Sequence, residues 1–382
     1  THPVMSLSVS LLVLRAKQLE IDAVRHLAGR AEFVEVISQL IHALQRERGA
    51  SSIFLASGGT RFADVRREAV EQARPIEAQW RTVCEAQLWP DQGASARMLS
   101  MMAWALLGLN ALDDLRKSIE QQALSAQDSV AAFSRLIAGL VELIFHMADA
   151  TLHPRISRLL VALLHLVQAE EAAGQERAIG ALLFASGLCE EGHQQRVIHL
   201  IDAQEHNLRV FEEFAEPALR TRWDQFQLTP ATAKLERLRR TLCTARGGSP
   251  LDADLSDPWF EVTSERVTEL WQLQVELVHK LKQDCDTQIK AAEQDLLDSE
   301  GLLRQLRSNP PPHTHAVERF FDTNASPQAQ PVPSLVSDGR ASQAPPQDSG
   351  PAASLIELLQ EQSARLARME SELEVARRTL HE

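Results

Sequence analysis

Two short stretches of the chain place an arginine in the same local setting. Residues 47–58 read ERGASSIFLASG and residues 176–187 read ERAIGALLFASG, so Arg48 corresponds to Arg177 at a separation of 129 residues. A match of this kind indicates an internal duplication, and hence two similar structural units in tandem.

Small side chains lie one helical turn beyond each arginine. Positions three and four residues after an arginine share its helical face. The first copy therefore places Ser51 and Ser52 beside Arg48, and the second copy has Gly180 and Ala181 at the same positions. Such a face leaves room for a compact ligand, and a guanidinium without a fixed acidic partner favours an anion.

A second interpretation of Arg48 stays open at this point. The guanidinium pairs with a glutamate of a neighbouring helix, and the small residues only allow close helix packing. The duplication favours the ligand interpretation, because we do not expect an ion pair to be copied together with empty space beside it.

The rest of the sequence predicts helices as the elements that position these arginines. Leu, Ala, Glu, Gln and Arg dominate, tyrosine is absent and only 5% of the residues are aromatic, which is typical of an all-α chain. Helical periodicity from about residue 5 to residue 307 is interrupted at residues 57–61, 89–93, 125–128, 152–154, 186–192 and 245–258. The last helix is predicted to begin with Asp257 as its cap and Pro258 at its first position, and to continue to residue 307.

Charge and motif content exclude several functional classes. The formal net charge of −13 excludes the whole chain as a general polyanion binder. The histidines have no metalloprotease spacing, and no phosphate-binding glycine loop, GxSxG elbow or kinase signature is present. The four cysteines lie far apart and are expected to be ordinary thiols. We therefore predict no enzyme, no catalytic residue, no metal and no cofactor.

The composition changes at residue 308. Residues 308–351 contain nine of the 17 prolines and are predicted to form a flexible linker. In residues 352–382, leucines recur every seven positions at 359, 366, 373 and 380, which predicts a coiled coil. An amphipathic helix that packs on its own bundle is the alternative for this last segment.

Four stretches together resemble the NIT domain, the nitrate- and nitrite-sensing domain of bacterial signalling proteins. LQRERGASSIFLASGG carries the most specific part of the resemblance, and residues 192–215, 233–243 and 259–274 resemble later segments of the family. The similarity covers most of residues 30–285. The resemblance implies two tandem antiparallel four-helix bundles with a long final helix, here followed by the flexible linker and a C-terminal coiled-coil helix.

The resemblance also implies the ligand and the residues that hold it. Members of the family bind nitrate or nitrite between the two bundles through arginines. Carried over by motif, Arg48 and Arg177 are the first two ligands, and a hydroxyl from Ser51 or Ser52 adds to them. Because the second copy has no serine at the matching positions, the two sides are expected to contribute unequally.

The third expected ligand is Arg237, in the stretch LERLRR. Arg239 and Arg240 lie in the same stretch, so the register of this third arginine stays open.

The order of segments resembles the nitrate-responsive transcription antiterminators of the NasR type. In that class, a NIT domain (here residues 1–307) precedes a linker (308–351) and an ANTAR RNA-binding domain, whose opening coiled coil corresponds to residues 352–382. The expected function is that of a cytoplasmic receptor that binds nitrate or nitrite and releases the ANTAR domain, which then binds leader RNA for transcription antitermination of nitrate and nitrite assimilation genes. We expect the RNA-binding part of that domain to lie beyond Glu382.

An alternative function is a NIT-containing signalling or scaffold protein that acts through coiled-coil contacts with a partner. The heptads permit a homodimer in either case. No membrane contact is expected, since the apolar stretch at residues 5–14 is too short to span a bilayer and no later stretch is expected to span one.

Overall fold

The structure is a computed structural model that describes residues 9–89, 93–149 and 154–297. The described residues form ten α-helices and one 3₁₀ turn and contain no β-strand. The all-α prediction is therefore confirmed. The helices are α1 (Val9–Ala56), α2 (Ala63–Ala86), α3 (Ala96–Asn110), α4 (Leu112–Glu120), α5 (Ala126–Asp149), α6 (Pro154–Ser186), α7 (Glu191–Phe214), α8 (Pro217–Gln227), α9 (Pro230–Thr244) and α10 (Ser256–Leu297).

Three predicted segments lie outside the described residues. They are the end of the last helix at residues 298–307, the linker at 308–351 and the coiled coil at 352–382. All the described residues belong to one compact unit.

The duplicated Ala-Ser-Gly sequences end two equivalent helices. Gly58 after α1 and Gly187 after α6 have positive φ angles of 62° and 68°. Glycine adopts this left-handed conformation without steric cost, which makes it the usual residue just past a helix end. The two copies of the repeated sequence thus end their helices in the same way.

Among the helix boundaries that were missed, the starts of α8 and α9 had clear sequence signals. Pro217 and Pro230 are the first residues of α8 and α9, and the Thr229 hydroxyl caps α9 by accepting a hydrogen bond from the Thr232 main-chain nitrogen. Proline at the first helical position after a capping residue is a standard start signal. At the start of α10, the prediction was late by two residues, because the helix already includes Ser256 and Asp257.

Helix contacts divide the described residues into two groups that share their core. One group contains α1 to α5, and the other contains α6 to α10; α1 also contacts α6 and α10, and α5 contacts α6. The largest apolar cluster draws side chains from both groups, for example Leu44 of α1, Leu140 of α5, Leu166 of α6 and Leu273 of α10. The interface between the groups is therefore part of the main core.

The three longest helices also pack together away from this core. Leu27 of α1, Leu159 of α6 and Leu281 of α10 belong to a separate buried cluster. The helices α1, α6 and α10 are therefore also in contact at this second cluster.

The expectation that no later stretch could span a membrane was wrong for α5. By length and composition alone, Ala126–Met147 is long and apolar enough to cross a bilayer. In the structure its apolar face, including Phe133, Ile137 and Ile144, is fully buried against the neighbouring helices. These side chains form part of the main apolar core.

Candidate functional site

The predicted residues of the two repeats come together where α1 contacts α6. Arg48, Ser51 and Ser52 on α1 have no exposed surface, and Arg177 on α6 is 4% exposed. Long cationic side chains are seldom buried to this extent without a compensating anion. Each of the two guanidinium groups therefore needs neighbours that compensate its charge.

Two glycines allow the arginines to fit between the helices. A Cβ atom on Gly174 of α6 would lie 2.7 Å from Nη2 of Arg48. A Cβ atom on Gly49 of α1 would lie 3.1 Å from Nη2 of Arg177 and 3.2 Å from the Phe260 ring. Each arginine thus occupies space that a glycine of the opposite helix leaves free.

Arg48 has an acidic partner. Its Nη1 and Nη2 atoms donate to the two carboxylate oxygens of Glu171 at 2.7 and 3.1 Å, and Nη1 also donates to the Ser134 hydroxyl at 3.0 Å. The side chains of Gln45 and Gln175 donate to the same carboxylate at 3.0 and 2.7 Å. The glutamate interpretation left open by the sequence therefore holds for Arg48.

Arg177 has only neutral partners. It donates to the main-chain oxygen of Gln45 at 2.9 Å and to the Ser264 hydroxyl at 3.2 Å, and its guanidinium lies 5.1 Å from the centre of the Phe260 ring. Among the described residues, no carboxylate lies within ion-pair distance of it. Burial, and next the nearby charge of Arg48, lowers the pKa of Arg177 to about 10. Its positive charge is thus poorly compensated.

Four buried polar atoms of this cluster have no hydrogen-bond partner. They are Nε of Arg48, Nε of Arg177, the hydroxyl oxygen of Ser51 and Oε1 of Gln45. Buried polar atoms are nearly always paired in folded proteins, and exceptions commonly mark a place for a water or a ligand. Three of the four belong to groups that can donate a hydrogen bond, which suits an anion.

The hydroxyl groups of the two serines differ in their hydrogen bonding. The Ser52 hydroxyl donates to the main-chain oxygen of Gly49 at 2.9 Å, whereas the Ser51 hydroxyl has no partner. Of the two predicted hydroxyls, Ser51 is therefore the one free to contact a ligand.

The glutamates next to the two arginines form a matched pair of buried ion pairs. Glu47 accepts from Nε and Nη2 of Arg116 at 2.7 and 2.8 Å, and Glu176 accepts from the same two atoms of Arg239 at the same distances. The duplication thus preserves a structural ion pair beside each of the predicted ligands, contrary to our expectation that ion pairs are not copied.

Arg237 lies away from this cluster. It is exposed on α9, whereas Arg239 turns inward to Glu176 and Gln204. Residues two apart on a helix do not face the same side, so only one of the two can be internal. The structure thus does not bring Arg237 to Arg48 and Arg177, and the register that points inward is that of Arg239, whose charge Glu176 already compensates.

Sequence reasoning missed several residues of the cluster. Gln45 lies within the motif, one turn before Arg48, so its helical spacing was a usable signal. Glu171, Ser264 and Phe260 reach the arginines only because α6 and α10 pack against α1, and their spacing in the sequence carried no comparable signal. Outside this cluster, Arg266 of α10 is another buried arginine that was missed: it contacts Gln227 and the Trp223 ring, and burial, followed by repulsion from Arg239, lowers its pKa to about 10.

Comparison with known proteins identifies the family of the chain. A family model described as "Nitrate and nitrite sensing", NIT, matches residues 39–282. The "Nitrate regulatory protein" of Klebsiella oxytoca is 31% identical over 281 residues, which are 73% of this chain and 69% of that protein. The solved structure of the NasR transcription antiterminator superposes with a TM-score of 0.67 at 27% identity and covers 80% of this chain and 84% of that one. The resemblance found in the sequence is thereby confirmed, and the chain belongs to the NIT family of nitrate- and nitrite-sensing domains.

Proposed function

We propose that this chain is a receptor that binds nitrate or nitrite at the contact between α1 and α6, through Arg177, Arg48 and Ser51. The observation that carries the proposal is Arg177, a buried guanidinium whose neighbours are a main-chain oxygen, a hydroxyl and an aromatic ring. A bound monovalent anion supplies the charge that these neighbours lack.

Nitrate and nitrite match the donors of this cluster. Each is small, carries one negative charge and offers at least two oxygens to an arginine fork. The unpaired Nε atoms of Arg48 and Arg177 and the unpaired Ser51 hydroxyl provide further donors. Each charge-assisted hydrogen bond contributes about 1.5–3 kcal/mol to binding. Gly49 and Gly174 allow both guanidinium groups to lie between the two helices, where they can converge on such a ligand.

In this proposal the signal leaves through α10. Ser264 and Phe260 of α10 contact Arg177, so a change at the α1–α6 contact reaches this helix directly. A ligand shifts a conformational equilibrium only by its difference in affinity for the two states, and about 5.5 kcal/mol moves a 1:99 mixture to 99:1.

The receptor acts without catalysis, in the cytoplasm, and releases a C-terminal ANTAR domain to bind leader RNA in transcription antitermination. The relatives called a nitrate regulatory protein and a transcription antiterminator support this assignment.

Calorimetric titration of the chain with sodium nitrate, and with sodium chloride at matched ionic strength, tests the proposal. We expect saturable binding of nitrate. Arg177→Met removes the poorly compensated charge, so it should abolish nitrate binding with no loss of thermal stability in the absence of ligand.

Arg237→Ala is the matched control, because it removes an exposed arginine of α9. It should bind nitrate as the unmodified chain does. Absence of nitrate binding by the unmodified chain, or full binding by Arg177→Met, would exclude the proposed site.

A further inference from the structure

We propose that Glu171 is an internal competitor for the anion: its carboxylate occupies the Arg48 fork in the ligand-free protein, and nitrate must displace it to bind. This inference rests on the proposed function and assigns to Glu171 the control of affinity and of discrimination between anions.

The carboxylate of Glu171 has the geometry of a bound two-oxygen anion. Its two oxygens accept from Nη1 and Nη2 of Arg48 at 2.7 and 3.1 Å, which is the bidentate arrangement that planar oxyanions also form with arginine. Gln45 and Gln175 each donate to one of these oxygens. All the strong donors that face Glu171 are therefore ones that a nitrate ion can also use.

Glu171 lies at the boundary between this cluster and solvent. Its side chain is 12% exposed, whereas the side chain of Arg48 is not exposed at all. On its outer side, Glu171 lines a groove of about 340 Å³ between α5, α6 and α7. The groove gives a small anion a path to Arg48 that passes the carboxylate.

The same groove offers the displaced carboxylate a new cationic partner. Arg196 of α7 lines it and donates to Oε1 of Gln175 at 2.9 Å, while Nε2 of Gln175 donates to Glu171. Gln175 thus already links the two charged side chains. Rotation of Glu171 outwards would bring its charge towards Arg196 and water, where the carboxylate is better solvated than between the helices.

Only one of the two repeats has such a competitor. The position that corresponds to Glu171 in the first repeat is His42, which contacts Glu170 and stacks on Trp271 with ring centroids 4.5 Å apart. Arg177 therefore keeps its poorly compensated charge while Arg48 does not. The charge of Arg177 attracts an anion towards the cluster, and binding there requires the exchange of Glu171 at Arg48.

An exchange of this kind selects for the shape of the anion. Nitrate and nitrite can replace both oxygens of the carboxylate, since each presents two or more oxygens to the fork. Chloride accepts at a single centre, so it cannot form the two parallel hydrogen bonds of a planar oxyanion and matches the fork less well. Displacement of Glu171 therefore costs more binding free energy for a halide than for an oxyanion.

Calorimetric titration of full-length Glu171→Gln with sodium nitrate and with sodium chloride tests the inference. The variant removes the charge and keeps the size of the side chain. We expect nitrate to bind about tenfold more tightly or better than in the unmodified chain, and the preference for nitrate over chloride to fall. A purely structural role for Glu171 would not change this ratio.

Two further variants make the result decisive. Glu142→Gln removes an exposed carboxylate that lines the same groove, so it should leave nitrate affinity within about twofold and controls for general electrostatic attraction. Glu171→Asp keeps the charge but shortens the reach to the fork, and it should bind nitrate with intermediate affinity even if the glutamine variant does not fold.

The outcomes separate the two proposals. If the unmodified chain binds nitrate and the Glu171 variants bind it equally or more weakly, the role of Glu171 as competitor is excluded, while the proposed receptor function is retained. If neither the unmodified chain nor the Glu171 variants bind nitrate, both the receptor and the competitor fall. If the unmodified chain binds nitrate and Glu171→Gln binds it more tightly with a smaller preference over chloride, the role of Glu171 as competitor is supported.

Discussion

Nη2 of Arg48 lies against Gly174 of the opposite helix, at a point where a Cβ atom would be only 2.7 Å away. Arg48 is also held by Glu171 and Ser134, so its guanidinium cannot simply move aside. The close approach of α1 and α6 therefore depends on the absence of a side chain at this one position.

Replacement of Gly174 by alanine should be destabilising in spite of the better helix propensity of alanine. The added methyl group collides with the guanidinium, and overpacking of this kind costs about 1–3 kcal/mol. We expect a lower free energy of unfolding in urea together with weaker nitrate binding. Gly139→Ala on α5 is the control, because a Cβ atom there meets nothing within 4 Å. It should stabilise the chain by about 0.5–1 kcal/mol, and a similar gain for Gly174→Ala would contradict the packing described here.

Ser51→Ala and Ser52→Ala should have different effects on nitrate binding. The Ser51 hydroxyl is buried without a partner, so its removal should leave the ligand-free chain as stable or more stable, by up to about 1 kcal/mol, while the nitrate affinity falls. The Ser52 hydroxyl already donates to Gly49, so its removal should leave nitrate affinity unchanged. Thermal unfolding and calorimetry of both variants measure these effects. A loss of affinity in Ser52→Ala alone would reverse the assignment of the two hydroxyls.

Glu176→Ala should be strongly destabilising. It leaves the buried guanidinium of Arg239 without its two shortest contacts to a buried carboxylate, and removal of one member of a buried ion pair costs about 3–5 kcal/mol. Denaturation in urea gives the value. Arg237→Ala on the exposed side of α9 should change the free energy of unfolding by no more than about 0.5 kcal/mol. Equal effects of the two substitutions would mean that the ion pair contributes little.

Glu269 should make the stability depend on pH. Burial is the main reason that the pKa of its carboxyl group rises from 4.5 to about 7. The charge of Arg266 opposes this rise, and the charge of Glu265 adds a smaller increase. Because the folded state holds this proton more tightly than the unfolded state, its stabilising contribution is complete below pH 4.5 and is lost as the pH rises through 7.

Glu269→Gln removes this dependence. The side chain is partly exposed, so solvent weakens the effect, and we expect the variant to be more stable than the unmodified chain by about 1 kcal/mol at pH 8. At pH 4.5 the two should be nearly equal. Urea denaturation at both pH values measures the difference, and a constant difference across the range would show that protonation of Glu269 is not the cause.

Much of the fold and the location of the site could be predicted from the sequence. Composition and periodicity predict helices because apolar spacing and helix propensity are local properties of the chain. Most helix ends followed glycine, proline or capping residues, and the starts of α8 and α9 were missed only because Pro217 and Pro230 were not weighed. The repeated motif identified Arg48 and Arg177, and the same motif carried the resemblance to the NIT family.

Which arginine keeps an uncompensated charge was decided only by the tertiary structure. Glu171 lies 123 residues from Arg48 along the chain, and Glu176 lies 63 residues from Arg239. No local pattern couples such positions, because charge pairing between helices depends on how the helices cross and on how each is rotated about its axis. The sequence by itself therefore determined the helices, the family and the two arginines of the repeat. The packing of α1 against α6 decided that Arg48 is neutralised, that Arg177 is not, and that Arg237 faces outwards while Arg239 faces in.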